Sequence, residues 1–278
     1  MNYGNKLDIG EIELLEALAG DDNVKVIVMY MEGLKYPGEG RRLLETLRRV
    51  TRVKPLVVYK AGRSRSSGRA VKSHTAALAG NYEIYRALFR QAGAVEVNNL
   101  MDALEVAKAL ATQPLPRGNR VLIITDSGGA GVQAVDNVES LGLVVPELPQ
   151  ELRSALSKSL PPFASTANPI DLTGSATDAM YKFVLDTVLP TSHVDMALVL
   201  AQMQLPGMTP KLADYIIEAR RFGKPIVVYG ISANEDAKAF KARLEDGDVP
   251  TYDRLETAAN ALRALYEYAI VRGLARPG

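Results

Sequence analysis

The sequence holds two histidines, and only one of them keeps company that suggests chemistry. His74 sits in Ser73-His74-Thr75-Ala76-Ala77-Leu78-Ala79-Gly80, between the Gly-, Ser- and Arg-rich stretch Ala61 to Ser73 and an apolar helical pattern. A loop of that composition is too polar for a core and too rich in glycine for a stable helix, so it reads as a mobile loop. An imidazole delivered by such a loop can act as a nucleophile, because its neutral form is available near neutral pH. A single histidine at a helix start is more often a cap or a surface residue, and the residues alone leave both readings open. His193, in Pro190-Thr191-Ser192-His193, leads into a strand without acidic or glycine-rich neighbours and reads as structural. Cysteine is absent, which removes disulfides, thiolate metal sites and a cysteine nucleophile; no metal centre is expected.

Two further segments could meet an anion. Asp126-Ser127-Gly128-Gly129-Ala130-Gly131 follows an apolar strand and opens a helix, where glycine lets backbone N–H groups approach a phosphate and the helix N-terminus adds a favourable partial charge. No Gly-Lys-Ser/Thr follows and the dinucleotide fingerprint is incomplete, so a tight structural turn explains the same residues equally well. Ala167-Asn168-Pro169-Ile170-Asp171-Leu172-Thr173-Gly174 is turn-forming, and its Asn168, Asp171 and Thr173 could reach a ligand. The helix start near Gly207-Met208-Thr209 is a further place for negative charge.

The elements that must position these residues alternate between short β-branched runs and longer amphipathic stretches, the pattern of parallel α/β units joined by crossover helices. Strands are predicted at Val24 to Met31, Pro55 to Tyr59, Val95 to Val97, Val121 to Thr125, Asp195 to Leu200 and Ile226 to Tyr229. A capping box formed by Asp8 and Glu11 should open a first helix through Leu18, and helical spacing recurs at Ala77 to Gln91 and Met101 to Thr112. Beyond Gln113 to Asn119, a Pro- and Gly-containing candidate linker, helices are predicted near Val132 to Ser140, Pro210 to Arg221, Glu235 to Leu244 and Leu255 to Arg272. Candidate ligands thus cluster after strand ends, where open α/β sheets bind them.

At 278 residues and 47% hydrophobic content the chain can bury two cores. With 33 basic and 32 acidic residues and no long run of either sign, nothing favours nucleic acid or an anionic membrane as partner. No apolar stretch approaches the roughly 20 residues needed to cross a bilayer, and the polar start lacks a signal region, so a cytoplasmic location is expected.

The run from Lys54 to Gly80, KPLVVYKAGRSRSSGRAVKSHTAALAG, closely resembles the ADP-forming (NDP-forming) acyl-CoA synthetase family, related to succinyl-CoA ligase. The resemblance implies that His74 accepts a phosphoryl group. Tyr30-Met31-Glu32-Gly33 resembles the family's strand-end motif, which would make Glu32 the residue that hydrogen-bonds and orients that histidine. Val121 to Gly131 and Asn168 to Asp171 resemble the next domain, which implies phosphate binding by Ser127, Gly128, Gly129, Gly131, Asn168 and Asp171. The fold so implied is α/β, with two doubly wound, flavodoxin-like (succinyl-CoA synthetase-like) domains: a phosphohistidine-bearing domain at 1–112, expected to be truncated, and a phosphate-binding domain at 120–278. In such relatives acyl-CoA and phosphate give acyl phosphate and CoA, and the phosphoryl group passes through histidine to a nucleoside diphosphate on an ATP-grasp domain. No CoA-binding domain, early Ser-Gly phosphate loop or ATP-grasp pattern is found in this sequence. CoA, phosphate and Mg-ADP or Mg-ATP would then be substrates of a complete enzyme rather than tightly held cofactors. An ATP-grasp subunit and a CoA-binding domain or chain would be its partners, in a homo- or hetero-oligomer. A non-catalytic scaffold or regulatory subunit that keeps the ligase core is the alternative.

Overall fold

A computed structural model of the protein describes residues 8–34, 36, 38–64, 66–67, 81–230 and 234–278. The chain divides into two compact units, Met1–Ala107 and Lys108–Gly278. In the first unit, α1 (Glu11–Gly20) starts after Gly10, whose N–H donates to the Glu13 carboxylate at 3.0 Å. The capping pair is therefore Gly10 with Glu13, not the expected Asp8 with Glu11. β1 (Ile27–Met31) begins three residues later than the apolar run suggests, because Val24 N–H closes a turn onto the Asp21 carbonyl. α2 (Glu39–Val53) buries Leu43, Leu47 and Val50 along one stripe and turns its arginines outward, and β2 (Leu56–Lys60) follows. α3 (Tyr82–Ala92) is capped by the Asn81 side chain and packs Tyr85, Phe89 and Ala92 inward, four and three residues apart as helical geometry requires. β3 (Val95–Glu96) then leads to α4 (Leu100–Thr112). Among the described residues these strands form one parallel sheet in chain order, β1-β2-β3, with Met31 beside Lys60 at its C-terminal edge.

The division between these compact units falls within α4, a few residues before the candidate linker Gln113 to Asn119. Gln113 is buried and committed to the second unit, where its amide donates to the Asp248 carbonyl and accepts from Ile226 N–H.

The second unit builds a five-stranded parallel sheet in the order β5-β4-β6-β7-β8. Its strands are β4 (Val121–Thr125), β5 (Ile170–Asp171), β6 (Met196–Ala201), β7 (Ile226–Gly230) and β8 (Thr251–Tyr252). Every residue of β4 and β6 is buried, as a strand covered on both faces must be, and this explains their unbroken apolar runs. The connecting helices are α5 (Gly128–Ser140), α6 (Gln150–Ser157), α7 (Asp178–Val188), α8 (Leu212–Ala219), α9 (Glu235–Asp246) and α10 (Leu255–Val271). The chain leaves β4 in one direction to form β5 and returns to the other side to form β6, so strand order reverses between β4 and β6. That reversal defines a doubly wound sheet, and open α/β sheets bind their ligands beyond the carboxyl ends of the strands at such a point. No helix among the described residues is long and apolar enough to cross a membrane.

Candidate functional site

The C-terminal edge of the first sheet is a cluster of charge and aromatic rings. Lys60 ends β2 fully buried, and its ammonium donates to the Glu32 carbonyl at 2.6 Å and to the Ala61 carbonyl at 2.5 Å. The Tyr85 ring lies 4.7 Å from that ammonium, close enough for a cation–π contact. Burial pushes the Lys60 pKa down to about 8, with Arg63 in the same direction and Glu32 and Glu96 opposing. Next along the chain, Arg63 donates to the Lys60 carbonyl at 2.9 Å, to Asn98 Oδ1 at 3.0 Å and to the Val97 carbonyl, and pairs with Glu96 at 3.3 Å. Its guanidinium is 5.2 Å from both the Tyr59 and Tyr82 rings. Ala61 to Ser64, read from the sequence as the start of a mobile loop, are therefore anchored at this edge by Arg63, and Ser66 and Ser67 are helical. Glu32 follows β1 half-buried and accepts from the Tyr30 hydroxyl at 3.1 Å. His74 and the rest of Ser73 to Gly80 lie outside the described residues.

The C-terminal edge of the second sheet is open and glycine-rich. Thr125, at the end of β4, closes the turn: its hydroxyl donates to the Ser127 carbonyl at 2.9 Å and accepts from Ser127 N–H at 3.0 Å. Gly128 and Gly129 are exposed at the first turn of α5, which carries no acidic side chain. A Cβ on Gly129 would meet nothing within 4 Å, whereas one on Gly128 would come within 2.9 Å of Asp171 Oδ2. Asp126, only 4% exposed, lies between β4 and β6 at the strand-order reversal and accepts from Gln202 N–H through Oδ2 at 2.7 Å. Its Oδ1 has no hydrogen-bond partner among the described residues. Tyr181, nearby and fully buried, gives its hydroxyl proton to the Leu200 carbonyl. Burial pushes the Asp126 carboxyl up to about 6; Asp171 adds to the rise, while the bond from Gln202 N–H opposes it. Thr173 adopts a left-handed backbone at φ 62° and donates its N–H to Asp171 Oδ1 at 2.8 Å. A β-branched residue seldom takes that conformation, and such strain collects at functional sites.

These positions revise part of the phosphate set expected from the sequence. Half-buried Ser127 and exposed Gly128 and Gly129 stand together at the start of α5. Gly131 does not join them: its N–H donates to the Ser127 carbonyl, and a Cβ there would come within 2.9 Å of Thr125 Cγ2, so its smallness serves helix–strand packing. Both amide hydrogens of Asn168 are taken by the Val121 and Pro146 carbonyls, while its Oδ1 accepts from Ile123 N–H, making it a brace for β4. Asp171 supplies an anion's neighbour rather than a donor, since a carboxylate repels phosphate. The Gly207 to Thr209 start is already filled by Asp178, whose carboxylate accepts from Thr209 N–H at 3.0 Å and from its hydroxyl at 2.5 Å. Sequence reading assigned no role to Lys60, Arg63, Asp126, Tyr181 or Gln202; the signal for Lys60 and Asp126 was a charged residue ending an apolar strand.

Both units match known families: residues 1–110 the succinyl-CoA ligase-like flavodoxin domain, and residues 121–275 the ligase-CoA domain. The chain is 38% identical over 274 residues to the alpha subunit of acetate–CoA ligase (ADP-forming) II from Pyrococcus furiosus, an alignment that covers 97% of this chain and 59% of that one. The chain belongs to the ADP-forming acyl-CoA synthetase family, related to succinyl-CoA ligase. The 4-hydroxybutyrate–CoA ligase (ADP-forming) of Nitrosopumilus maritimus is 30% identical over 273 residues, covering 97% of this chain and 38% of its relative. Among solved structures, the dinucleotide-forming acetyl-coenzyme A synthetase 1 of Ca. Korarchaeum cryptofilum, in complex with phosphate and ADP, superposes with a TM-score of 0.89 at 37% identity. That match covers 98% of this chain and 59% of the other, so the chain spans less than two thirds of these relatives' length. The parallel α/β architecture expected from the sequence agrees with this membership.

Proposed function

We propose that the chain is the phosphoryl-relay part of an ADP-forming acyl-CoA synthetase, with His74 as the group that carries phosphate and Glu32 as its orienting base. The observation that carries this reading is the Glu32 carboxylate at the end of β1, on a backbone held by Lys60, in a chain of this family. A carboxylate on one imidazole nitrogen selects the tautomer and leaves the other nitrogen's lone pair free to attack. Acyl-CoA and phosphate first exchange to acyl phosphate and CoA. His74 then attacks phosphorus; the N–P bond forms, the P–O bond to the carboxylate breaks, and the acid leaves. Positive charge developing on the ring is shared with Glu32 through the opposite N–H. Phosphohistidine finally passes its phosphoryl group to ADP, and the separation into two transfers lowers each barrier.

The exposed N–H groups of Gly128 and Gly129, with the Ser127 hydroxyl beside them, would hold phosphate oxygens at a helix N-terminus, which stabilises the anion without a cation that would trap it. CoA binding and the ATP-grasp step belong to parts of the enzyme that this chain does not span, supplied by partner domains or chains. The test is ATP formation from acyl-CoA, phosphate and Mg-ADP by the chain assembled with its ATP-grasp and CoA-binding partners. Activity should vanish in His74→Asn. An assembled complex indifferent to that substitution would favour the scaffold reading.

A further inference from the structure

A fully buried ammonium needs a reason, because desolvating it is costly and an apolar residue at the end of β2 would avoid that cost. The bonds around Lys60 supply one. Glu32 lies in the three-residue segment, Glu32 to Leu34, that follows β1. The end of β1 and this segment are held at successive points: Ala61 N–H donates to the Met31 carbonyl at 2.9 Å, Lys60 Nζ to the Glu32 carbonyl at 2.6 Å, and Leu34 N–H to the Tyr85 hydroxyl at 3.1 Å. Lys60 also holds the Ala61 carbonyl, so one ammonium joins the ends of both strands, and the Tyr85 ring that faces it belongs to the residue fixing Leu34. The held segment presents the carboxylate that is read above as the histidine's partner.

We propose that Lys60 is a positioning residue for Glu32, fixing the backbone from which that carboxylate meets its imidazole. The proposal rests on the phosphoryl-relay reading of Glu32 and His74. A misplacement of about 1 Å in such a partner can slow a reaction on the order of 100-fold, so a backbone clamp is a sufficient device. Lys60 acts here through geometry and through charge together. Of the charged groups facing it, Glu32 and Glu96 favour the ammonium, while Arg63 and burial disfavour it. As pH rises through about 8 the ammonium loses a donor, and the clamp weakens.

The experiment is a double-mutant cycle in the assembled enzyme, reading the rate of phosphate incorporation at His74 for Lys60→Met, Glu32→Gln and the pair, with circular dichroism to match folded fractions. Lys60→Met should slow incorporation at least 10-fold in the wild-type background and less than 3-fold when Glu32 is already Gln, since a residue acting through Glu32 has nothing left to position. Lys60→Gln, which keeps a donor in the same cavity, replaces Lys60→Met in the cycle if the latter fails to fold. Equal slowing in both backgrounds, or none in either, overturns the proposal. A Glu32→Gln enzyme as fast as wild type overturns the parent reading instead, and the two failures are thereby told apart.

Discussion

At the end of β2 two cations, Lys60 and Arg63, are surrounded by carbonyls, carboxylates and rings, whereas at the end of β4 the buried anion Asp126 has one oxygen bonded to Gln202 N–H and the other to nothing described. The first edge is charged and satisfied; the second is charged and strained, with Thr173 at positive φ and one Asp126 oxygen without a partner among the described residues. A satisfied edge holds a side chain in one place, which suits presenting Glu32. An unsatisfied edge beside free N–H groups stores unfavourable energy at the strand-order reversal, where open α/β sheets take their ligands. Perturbing the two edges should therefore have opposite signs.

The largest effect is expected at the first edge. Arg63→Ala removes the bonds to Lys60, Val97 and Asn98, the Glu96 pair and two ring contacts, and should destabilise the protein by about 3 kcal/mol in urea or thermal unfolding. Asp126→Asn should do the reverse at the second edge. The folded carboxyl, at about 6, lies above its ordinary value of 3.8, so the native state binds its proton more tightly than the unfolded chain. Ionised Asp126 thus weakens the fold above pH 6, and that cost is relieved as pH falls through 6 towards 3.8. The amide should raise stability by about 2 kcal/mol at neutral pH, and the gain should shrink towards zero near pH 4, in unfolding curves taken across that range. A loss of stability at neutral pH would break the contrast. Smaller still is the difference between two glycines: Gly131→Ala, pressed against Thr125, should cost about 1 to 2 kcal/mol, while Gly129→Ala, facing open space, should stay within about 0.5 kcal/mol of wild type.

What could be read from the sequence divides along the same physical line. β4, β6 and β7 were legible because each is an apolar run buried on both faces, and the Ser127 to Gly129 turn because strand, glycines and helix are contiguous. β5 and β8 are two residues each, too short to show a period, and exist because neighbouring strands supply their register. α7 was missed although Tyr181, Val184, Leu185 and Val188 keep helical spacing, because its Thr177 cap hides in a run of turn-forming residues. Lys60 and Asp126 have partners 28 and 76 residues away, at Glu32 and Gln202, and no local spacing encodes such a pairing. Gly131 and Asn168, expected with the phosphate set, have their polar groups engaged around β4, a role that proximity to the turn in sequence does not separate from contact with a ligand.

The central claim is that His74 carries phosphate, and it is tested most directly by peptide mapping of the assembled enzyme after incubation with Mg-ATP, using His74→Asn as control. The account predicts an acid-labile phosphoryl group on the peptide that contains His74, absent from the control and formed more slowly in Glu32→Gln. A complex that turns over acyl-CoA while that peptide stays unmodified, or that acquires the same label in His74→Asn, would contradict it.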